Sequence, residues 1–311
     1  MTLPTPYLHH YPMSPFAEKV RLMLGHKQMT WKSVIVPTVA PKPDVVALTG
    51  GYRKTPFLQI GNDVFCDTTL IADVLEHIAP TPSFYPQGQR GLHRALAQWA
   101  DHQLFWAAMG YNFQPKGLAQ VFEGVPAEAV KAFGADRGAM STGMTRIRPA
   151  DGAAAYKSYL RRLADMLHES AGQGSDAPYL LGNAPGLADF AVYHSVWFTQ
   201  YRVPALAGIL DTAPAVKDWL ARMVAIGHGE MLRSRASEAI AESAVASISG
   251  IRFDLEIFGD AEVFQDEHGI ELGSAVTIAA ESFGTEPTQG TLLSATRTRY
   301  TVQHTDERAG T

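Results

Sequence analysis

The chain has 311 residues, of which 46% are apolar and 18% charged, a composition that indicates a folded protein of two or three domains. Its net charge of −5 is unevenly spread. Residues 1–235 carry 22 Lys and Arg against 18 Asp and Glu, whereas residues 236–311 carry 4 against 13. Because neither part is strongly basic, nucleic acid is not expected as a partner.

Membrane insertion and secretion are not expected either. The most apolar stretch, residues 190–210, is interrupted by polar residues and indicates a buried helix rather than a membrane span. The first residues show no basic region followed by an apolar one, and the single Cys66 cannot form an intramolecular disulfide. We therefore expect a cytoplasmic protein.

The first 80 residues alternate between patterns typical of strands and of helices. Strands are predicted at residues 5–10, 31–36, 57–60 and 64–66, helices from Ser14 onward and over residues 68–79, and a loop over residues 37–51. The apolar stripe of the first helix is interrupted by charged residues, namely Glu18, Lys19 and Arg21. This βαβ–ββα order predicts an α/β, thioredoxin-like domain over residues 1–80.

The rest of the chain changes pattern twice. Helical periodicity broken by Pro and Gly, with no convincing strand, predicts an all-α domain over residues 81–235. Within it, residues 113–151 form either a broken helix pair or a long loop. Residues 237–246 are predicted to be a short helix. Beyond residue 251 an alternating, glycine-punctuated pattern predicts a small β-barrel or antiparallel sheet in an acidic module, residues 236–311.

Three short motifs in the first 80 residues are the part of the sequence that indicates a function. They are Ser14-Pro15-Phe16 at the start of the first helix, Lys54-Thr55-Pro56 before the third strand, and Asp67-Thr68 after the fourth. In this order and spacing they resemble the N-terminal domain of the cytosolic glutathione transferases. The likeness is closest to the omega class, whose motif begins with cysteine, and to the tau class, which has serine. It continues more weakly to about residue 235 and does not extend to the C-terminal module.

The resemblance implies a serine-type glutathione-binding site. Ser14 would stabilise the glutathione thiolate, since a hydrogen bond and a helix N-terminus both favour the ionised thiol. A cis Pro56 would open the backbone of Thr55 to the cysteinyl part of the ligand. Asp67 and Thr68 would bind the ammonium and carboxylate of the γ-glutamyl end. The candidates for binding the glycine carboxylate are cationic side chains: Lys42, Arg53 and Lys54.

Each of these residues also has an ordinary structural interpretation. Ser14 and Asp67 could simply cap their helices. Pro56 could be a trans proline that begins a strand, and lysines on loops are usually solvated. An aromatic and methionine cluster could line a pocket for a second, apolar substrate, although such clusters at helical spacing are more often core. Its members are Met13, Phe105, Trp106, Met109 and Tyr111.

Other features argue against nucleotide, metal and redox chemistry. The sequence has no Gly-x-Gly-x-x-Gly motif, phosphate-binding loop or Cys-x-x-Cys, and the rings of His9 and His10 are expected on opposite faces of a strand, so no metal site is expected. Cys66 ends a core strand and is interpreted as a small hydrophobic residue rather than a redox thiol. Asp189 belongs to a helix-opening motif of the family and is interpreted as structural.

Two functions remain open. The resemblance implies a homodimeric enzyme that binds glutathione as co-substrate and joins its thiol to a small electrophilic or hydrophobic substrate. Because serine stands where the omega class has cysteine, we expect thiol conjugation rather than thiol exchange. The alternative is a non-catalytic interaction or stress-related protein that retains the fold. The acidic module is expected to pack on the helical domain or a dimer partner through apolar residues: Ile251, Phe253, Leu255, Ile257 and Phe258.

Overall fold

The computed structural model describes residues 4–145, 147–172, 174, 176, 178–245, 268–296 and 299–311. The N-terminal domain consists of β1 (Tyr7–His10), α1 (Pro15–His26), β2 (Thr30–Ile35), α2 (Pro43–Thr49), β3 (Phe57–Ile60), β4 (Asp63–Cys66) and α3 (Thr68–Ile78). The order and pairing of these elements confirm the predicted thioredoxin-like fold.

The strand register brings the three sequence motifs to one end of the sheet. β1 pairs in parallel with β2 and antiparallel with β3, and β3 pairs antiparallel with β4. His9 lies opposite Phe57, and Phe57 lies opposite Cys66. The end of β1, the start of β3 and the end of β4 are therefore neighbours, and each of them leads into a motif.

A helical domain follows, as predicted. Its helices are α4 (Arg90–Trp99), α5 (Phe105–Asn112), α6 (Pro115–Val121), α7 (Ala127–Met140), α8 (Pro149–Gly172), α9 (Leu187–Trp197) and α10 (Pro214–Ala225). The segment 113–151 is a broken helix pair rather than a long loop. Pro115 occupies the first turn of α6 and Pro126 directly precedes α7, positions where a missing N–H breaks no intrahelical bond.

One hydrophobic core runs through both domains. Leu8 and Trp31 of the sheet and Phe190 and Trp219 of the helices are fully buried in the same cluster. α1 packs against α3 and also against α9, so it lies between the two domains. Of the helices in the described ranges, none has the length and apolarity needed to cross a bilayer.

α2 lies within residues 37–51, which the sequence predicted to be a loop. Pro43 stands in its first turn, and Gly50, with φ of 69°, ends it. The helix has only seven residues, which is too short for a periodic apolar pattern to be recognised. The prediction of a loop here was therefore wrong for the central residues.

The sheet has a fifth strand that the sequence pattern did not predict. β5 (Glu230–Ser234) pairs in parallel with β2, with Thr30 opposite Glu230, and forms the edge of the sheet. Four of its five residues are exposed. The strand therefore has no buried apolar face, and the alternating pattern that such a face produces is missing from its sequence. Residues that follow the helical domain thus complete the sheet of the first domain.

The C-terminal part confirms the predicted short helix and small β structure. α11 (Ala236–Val245) packs on α2 and β2. β6 (Ala275–Ile278), β7 (Thr288–Ala295) and β8 (Tyr300–Gln303) form an antiparallel sheet in the order β6-β7-β8. The apolar residues predicted to anchor the module, Ile251, Phe253, Leu255, Ile257 and Phe258, lie outside the described residues.

Candidate functional site

Ser14 caps α1. The residue is 2% exposed, and its Oγ accepts a hydrogen bond from the Ala17 N–H at 3.1 Å. That bond uses a lone pair of the oxygen, so the hydroxyl hydrogen remains for a second partner. Capping the helix and donating to a ligand are therefore compatible roles for this one hydroxyl.

The Thr55–Pro56 peptide bond is cis and stands immediately before β3. Phe57, the first residue of that strand, pairs with His9 near the end of β1. Pro56 is buried, whereas Thr55 is partly accessible. The backbone of Thr55 therefore lies beside the connection that leads from β1 to Ser14.

Asp67 and Thr68 begin α3. Asp67 has φ of 82° and ψ of 135°, a positive φ that is uncommon for residues other than glycine, and its Oδ1 accepts the Thr69 N–H at 2.7 Å. Asp67 is exposed, while Thr68 is buried. The Thr68 hydroxyl oxygen accepts a hydrogen bond from Lys19 Nζ at 3.0 Å.

Lys19 is a residue near the site that the sequence did not indicate. It is fully buried, and its ammonium group pairs with Asp101 at 2.7 Å. Asp101 also contacts His194 Nε2 at 3.1 Å. Burial by itself would raise the pKa of Asp101, but the Lys19 charge and the His194 contact outweigh it and lower that pKa. A buried cation therefore lies directly behind Thr68.

The other charged residues of α1 are buried as well. Glu18 pairs with Arg21 at 2.6 Å and accepts a hydrogen bond from the Tyr193 hydroxyl at 3.0 Å. His228 contacts the same carboxylate at 3.0 Å. Burial opposes ionisation of Glu18, but His228 and Arg21 outweigh it and lower its pKa to about 2. The polar residues of α1 thus form part of the contact between the two domains rather than a solvated face.

Arg53, one of the three cations predicted to bind a glycine carboxylate, is paired with protein carboxylates. Asp136 of α7 and Glu286 of the C-terminal module contact its guanidinium group at 2.5 and 2.9 Å. Lys42 Nζ donates to the Arg53 carbonyl at 3.3 Å, and burial lowers the pKa of Lys42 to about 8. Burial also lowers the pKa of Lys54.

Three of the residues considered for a second-substrate pocket pack into the helical domain. The Phe105 ring lies 4.8 Å from the Phe16 ring. Met109 is 4% exposed within the core, and the Tyr111 hydroxyl donates to the Leu206 carbonyl at 2.9 Å. These contacts resemble those of ordinary core side chains.

Trp106 has different surroundings. Its ring meets the edge of Phe283 from the C-terminal module, with the centroids 5.4 Å apart. Met13 is partly exposed just before Ser14. The side of the site that a second substrate would occupy is therefore bordered by the C-terminal module.

Cys66 lies beside Asp67 but is a poor nucleophile. Burial, with a smaller contribution from the Asp67 charge, raises the pKa of its thiol to about 12. The His9 ring contacts Gln59, whereas His10 contacts Ser33, so these two imidazoles have separate partners. Among the described residues, no three His, Cys, Asp or Glu side chains are grouped as they would be to hold a metal ion.

Two family models match the chain: the glutathione S-transferase N-terminal domain over residues 8–83 and the glutathione S-transferase C-terminal domain over residues 149–222. A solved GST-like protein from Pseudomonas syringae is 36% identical, with a TM-score of 0.70, over 98% of this chain and 94% of that protein. The chain belongs to the glutathione S-transferase superfamily. A comparison with curated proteins found no match.

Other solved members of the superfamily share the fold at lower identity. Glutathione transferase GSTFuA3 from Phanerochaete chrysosporium is 20% identical, with a TM-score of 0.57 over 72% of this chain and 98% of that protein. A Tau class glutathione S-transferase from mango, Mangifera indica, is 14% identical, with a TM-score of 0.52 over 71% and 89%. Both leave more than a quarter of this chain uncovered, whereas the Pseudomonas protein matches nearly all of it.

Asp189 has a structural role in this member of the superfamily. Its Oδ1 accepts hydrogen bonds from the Leu180 N–H at 2.9 Å and from Trp219 Nε1 at 2.8 Å, and its Oδ2 accepts the Gly186 N–H at 3.0 Å. The residue is fully buried, and burial raises its pKa to about 6. Although Gly186 has no side chain to cap α9, the Asp half of the capping box is kept.

Proposed function

We propose that the chain binds glutathione where Ser14, Thr55 and Asp67 meet, and that it activates the glutathione thiol for attack on a small electrophile. The observation that supports this most directly is the convergence, at one end of the sheet, of two helix N-termini and the cis Thr55–Pro56 bond that precedes β3. Helix N-termini offer free N–H groups and a partial positive charge, which favour a bound thiolate or carboxylate.

In this proposal the hydroxyl hydrogen of Ser14 is donated to the thiolate. Free glutathione has a thiol with a pKa of about 8.5, so most of it is protonated at neutral pH. One hydrogen bond and one helix N-terminus are together sufficient for a fall of one to two pKa units, which corresponds to about 1.4–2.8 kcal/mol. The remaining lone pair of Ser14 Oγ still caps the helix.

The γ-glutamyl end is assigned to the start of α3. Asp67 is exposed and acidic, which suits an ammonium group. The backbone N–H groups that begin α3, together with the Thr68 hydroxyl, suit a carboxylate. Lys19 Nζ donates to the Thr68 oxygen at 3.0 Å, so the hydroxyl hydrogen of Thr68 remains to be donated to that carboxylate. Lys54 and Lys42 are assigned to the glycine carboxylate, since Arg53 is already paired.

Titration calorimetry of the full chain with glutathione tests this proposal. We expect saturable binding, and weaker binding of cysteinylglycine, which lacks the γ-glutamyl group assigned to Asp67 and Thr68. An absence of binding at millimolar glutathione, both in the wild type and in the double variant Phe283→Ala, Glu286→Gln, would contradict the proposal.

Replacement of Ser14 by Ala should reduce conjugation at neutral pH by about 10- to 100-fold, which corresponds to about 1.4–2.8 kcal/mol. The reason is the loss of the hydrogen bond to the thiolate, which raises the pKa of bound glutathione and leaves its affinity largely unchanged. Thiolate absorbance in the ultraviolet, followed against pH, measures this pKa. Ser14→Thr, which keeps the hydroxyl, is the matched control. Identical titration curves for Ser14→Ala and the wild type would exclude Ser14 as the activating group.

The wild type should be poor at thiol exchange, because a hydroxyl cannot form a mixed disulfide with glutathione. Ser14→Cys should gain this activity, since a cysteine at a helix N-terminus has a lowered pKa. Reduction of a mixed disulfide substrate measures it. The high pKa of Cys66 argues against a contribution from that thiol, and Cys66→Ser is the control. Wild-type activity as high as that of Ser14→Cys would refute the assignment to conjugation chemistry.

The proposal includes a cytoplasmic homodimer, in keeping with the superfamily, and a small electrophilic or hydrophobic second substrate. A second function is a non-catalytic interaction protein that retains the transferase fold. One observation favours it: Glu286 and Phe283 of the C-terminal module contact Arg53 and Trp106, so the protein itself lies over part of the site. Glutathione binding and turnover distinguish the two functions.

A further inference from the structure

Residues 283–287, here called the covering segment, lie against Arg53, Lys54 and Trp106, which border the proposed glutathione site. The segment belongs to the connection between β6 and β7 of the C-terminal module. It touches the N-terminal domain on one side and α7 and α5 on the other. The covering segment therefore bridges the two domains, with its Gly284 buried and its Thr285 and Pro287 exposed to solvent.

Three contacts hold the covering segment, and each lies at a different part of the cleft. The Phe283 ring packs edge-on against Trp106, on the side assigned to a second substrate. The Gly284 N–H donates to the Met140 carbonyl at 2.8 Å. The Glu286 carboxylate pairs with Arg53 at 2.9 Å, on the side assigned to the glycine carboxylate.

The backbone of the covering segment lies in close contact with the residues beneath it at two points. A Cβ on Gly284 would lie 2.8 Å from Met140 Cε and 3.1 Å from Lys54 Cγ. A Cβ on Gly51 would lie only 2.2 Å from the Pro287 carbonyl oxygen. Glycine at these two positions allows the close approach, and both also have positive φ, which disfavours any other residue. Gly284 therefore lies directly against the Lys54 side chain, which is assigned to the glycine carboxylate.

Glu286 carries the same negative charge as the glycine carboxylate of glutathione, which is assigned to this side of the cleft. Arg53 is a cation placed where a glycine carboxylate would bind, and Asp136 and Glu286 together already neutralise it. A glutathione carboxylate would have to replace Glu286 to pair with Arg53, or bind Lys54 and Lys42 without it. The covering segment thus places an aromatic ring on the side assigned to the second substrate and a carboxylate on the side assigned to the glycine carboxylate.

We propose that residues 283–287 form an internal gate, which closes the cleft in the arrangement described here and must move before ligands enter. The inference rests on the proposed function for the identity of the ligand, and on geometry alone for the closure. The three contacts are of kinds that are individually weak: an ion pair with a partly exposed carboxylate, an aromatic pair and one backbone hydrogen bond.

The covering segment can move while the rest of the module stays in place. Arg299 pairs with the buried Asp73 of α3 at 2.6 Å, and Arg308 pairs with Asp44 of α2 at 2.8 Å. The Ala309 carbonyl accepts a hydrogen bond from Ser243 of α11 at 2.7 Å. None of these three contacts involves the covering segment, so its opening does not require the module to detach.

Acylation of Lys54 by a small amine-reactive ester measures closure without any glutathione. Peptide mass spectrometry compares the labelling of Lys54 with that of exposed Lys217 in the full chain. In the double variant Phe283→Ala, Glu286→Gln we expect Lys54 labelling to rise about tenfold, because the population with an open cleft increases. Glu281→Gln, an exposed change just outside the covering segment, is the matched control and should label like the wild type. Equal Lys54 labelling in all three proteins would overturn the gate.

Glutathione titration of the same proteins separates the gate from the proposed function. If the gate and the proposed function are both correct, the dissociation constant for glutathione should fall about tenfold in the double variant and stay unchanged in Glu281→Gln. Faster Lys54 labelling with an unchanged dissociation constant would overturn the gate and leave the proposed function intact. Faster labelling with no glutathione binding in any variant would support closure of the cleft and contradict the proposed function.

Discussion

Lowering the pH from 7 to 5 should reduce the free energy of unfolding by several kcal/mol. Burial lowers the pKa of His9, His26 and His93 to about 4, and burial together with the Arg21 charge lowers that of His10 to about 3. An unfolded histidine has a pKa of about 6.5. Between pH 6.5 and 4 the unfolded chain therefore binds protons that the folded chain does not, and unfolding is favoured as the pH falls.

The size of the effect follows from the number of buried histidines. Each of these four contributes about 1.4 kcal/mol per pH unit below 6.5, or about 2 kcal/mol at pH 5. Asp189 acts in the opposite direction, because burial raises its pKa to about 6 and the folded state takes up its proton first. That offset is on the order of 1 kcal/mol at pH 5. The net loss is about 7 kcal/mol, comparable to the whole stability of a marginal domain.

Urea unfolding at pH 7, 6 and 5 measures this dependence. His93→Gln should reduce the slope of unfolding free energy against pH by about 1.4 kcal/mol per unit, because one proton fewer is taken up on unfolding. His102→Gln, at an exposed position, is the matched control and should leave the slope unchanged. The same unfolding free energy at pH 7 and at pH 5 would show that the buried histidines do not set the acid limit of the fold.

Replacement of Asp189 by Ala should destabilise the protein by about 3–5 kcal/mol at pH 7. The variant leaves three buried donors without a partner: the N–H groups of Leu180 and Gly186 and the indole Nε1 of Trp219. Because these donors belong to the segment before α9, to the start of α9 and to α10, their loss loosens the centre of the helical domain. Thermal and denaturant unfolding measure the change.

Two comparisons make the Asp189 prediction specific. Asp189→Asn keeps one acceptor oxygen and should lose less than Asp189→Ala. Asp211→Ala removes an exposed carboxylate that pairs with Lys217 and should change stability by less than about 0.5 kcal/mol. A loss in Asp189→Ala no greater than that in Asp211→Ala would mean that the buried carboxylate does not hold the helices together.

The N-terminal domain could be predicted from the sequence because its signals are local. Ser14 and Pro15 mark a helix start, and strand and helix periods alternate over short distances. The positions of the three motifs relative to these elements then placed Ser14, Thr55 and Asp67 at the same end of one sheet. Register completes the argument, since His9, Phe57 and Cys66 lie side by side.

The parts that the sequence did not reveal depend on contacts between distant residues. Lys19 is buried because Asp101, in the other domain, supplies its counter-charge, and periodicity along α1 contains no information about that partner. Glu286 and Arg53 also lie on different domains, so the sequence around one residue contains no information about its pairing with the other. Hydrophobic patterns tell which side of an element is apolar. They do not tell where a polar side is paired rather than solvated.

β5 makes the first domain discontinuous, with a consequence for how the protein is made. Thr30 and Glu230 are paired in the sheet although the chain between them includes the whole helical domain. During synthesis from the N-terminus, β2 therefore remains an open edge until the last part of the helical domain has been translated. Pairings of this kind form late, because a long loop must close before any of its hydrogen bonds can form. A chain that stops between the two domains exposes an unpaired strand edge, which is a template for association with other chains.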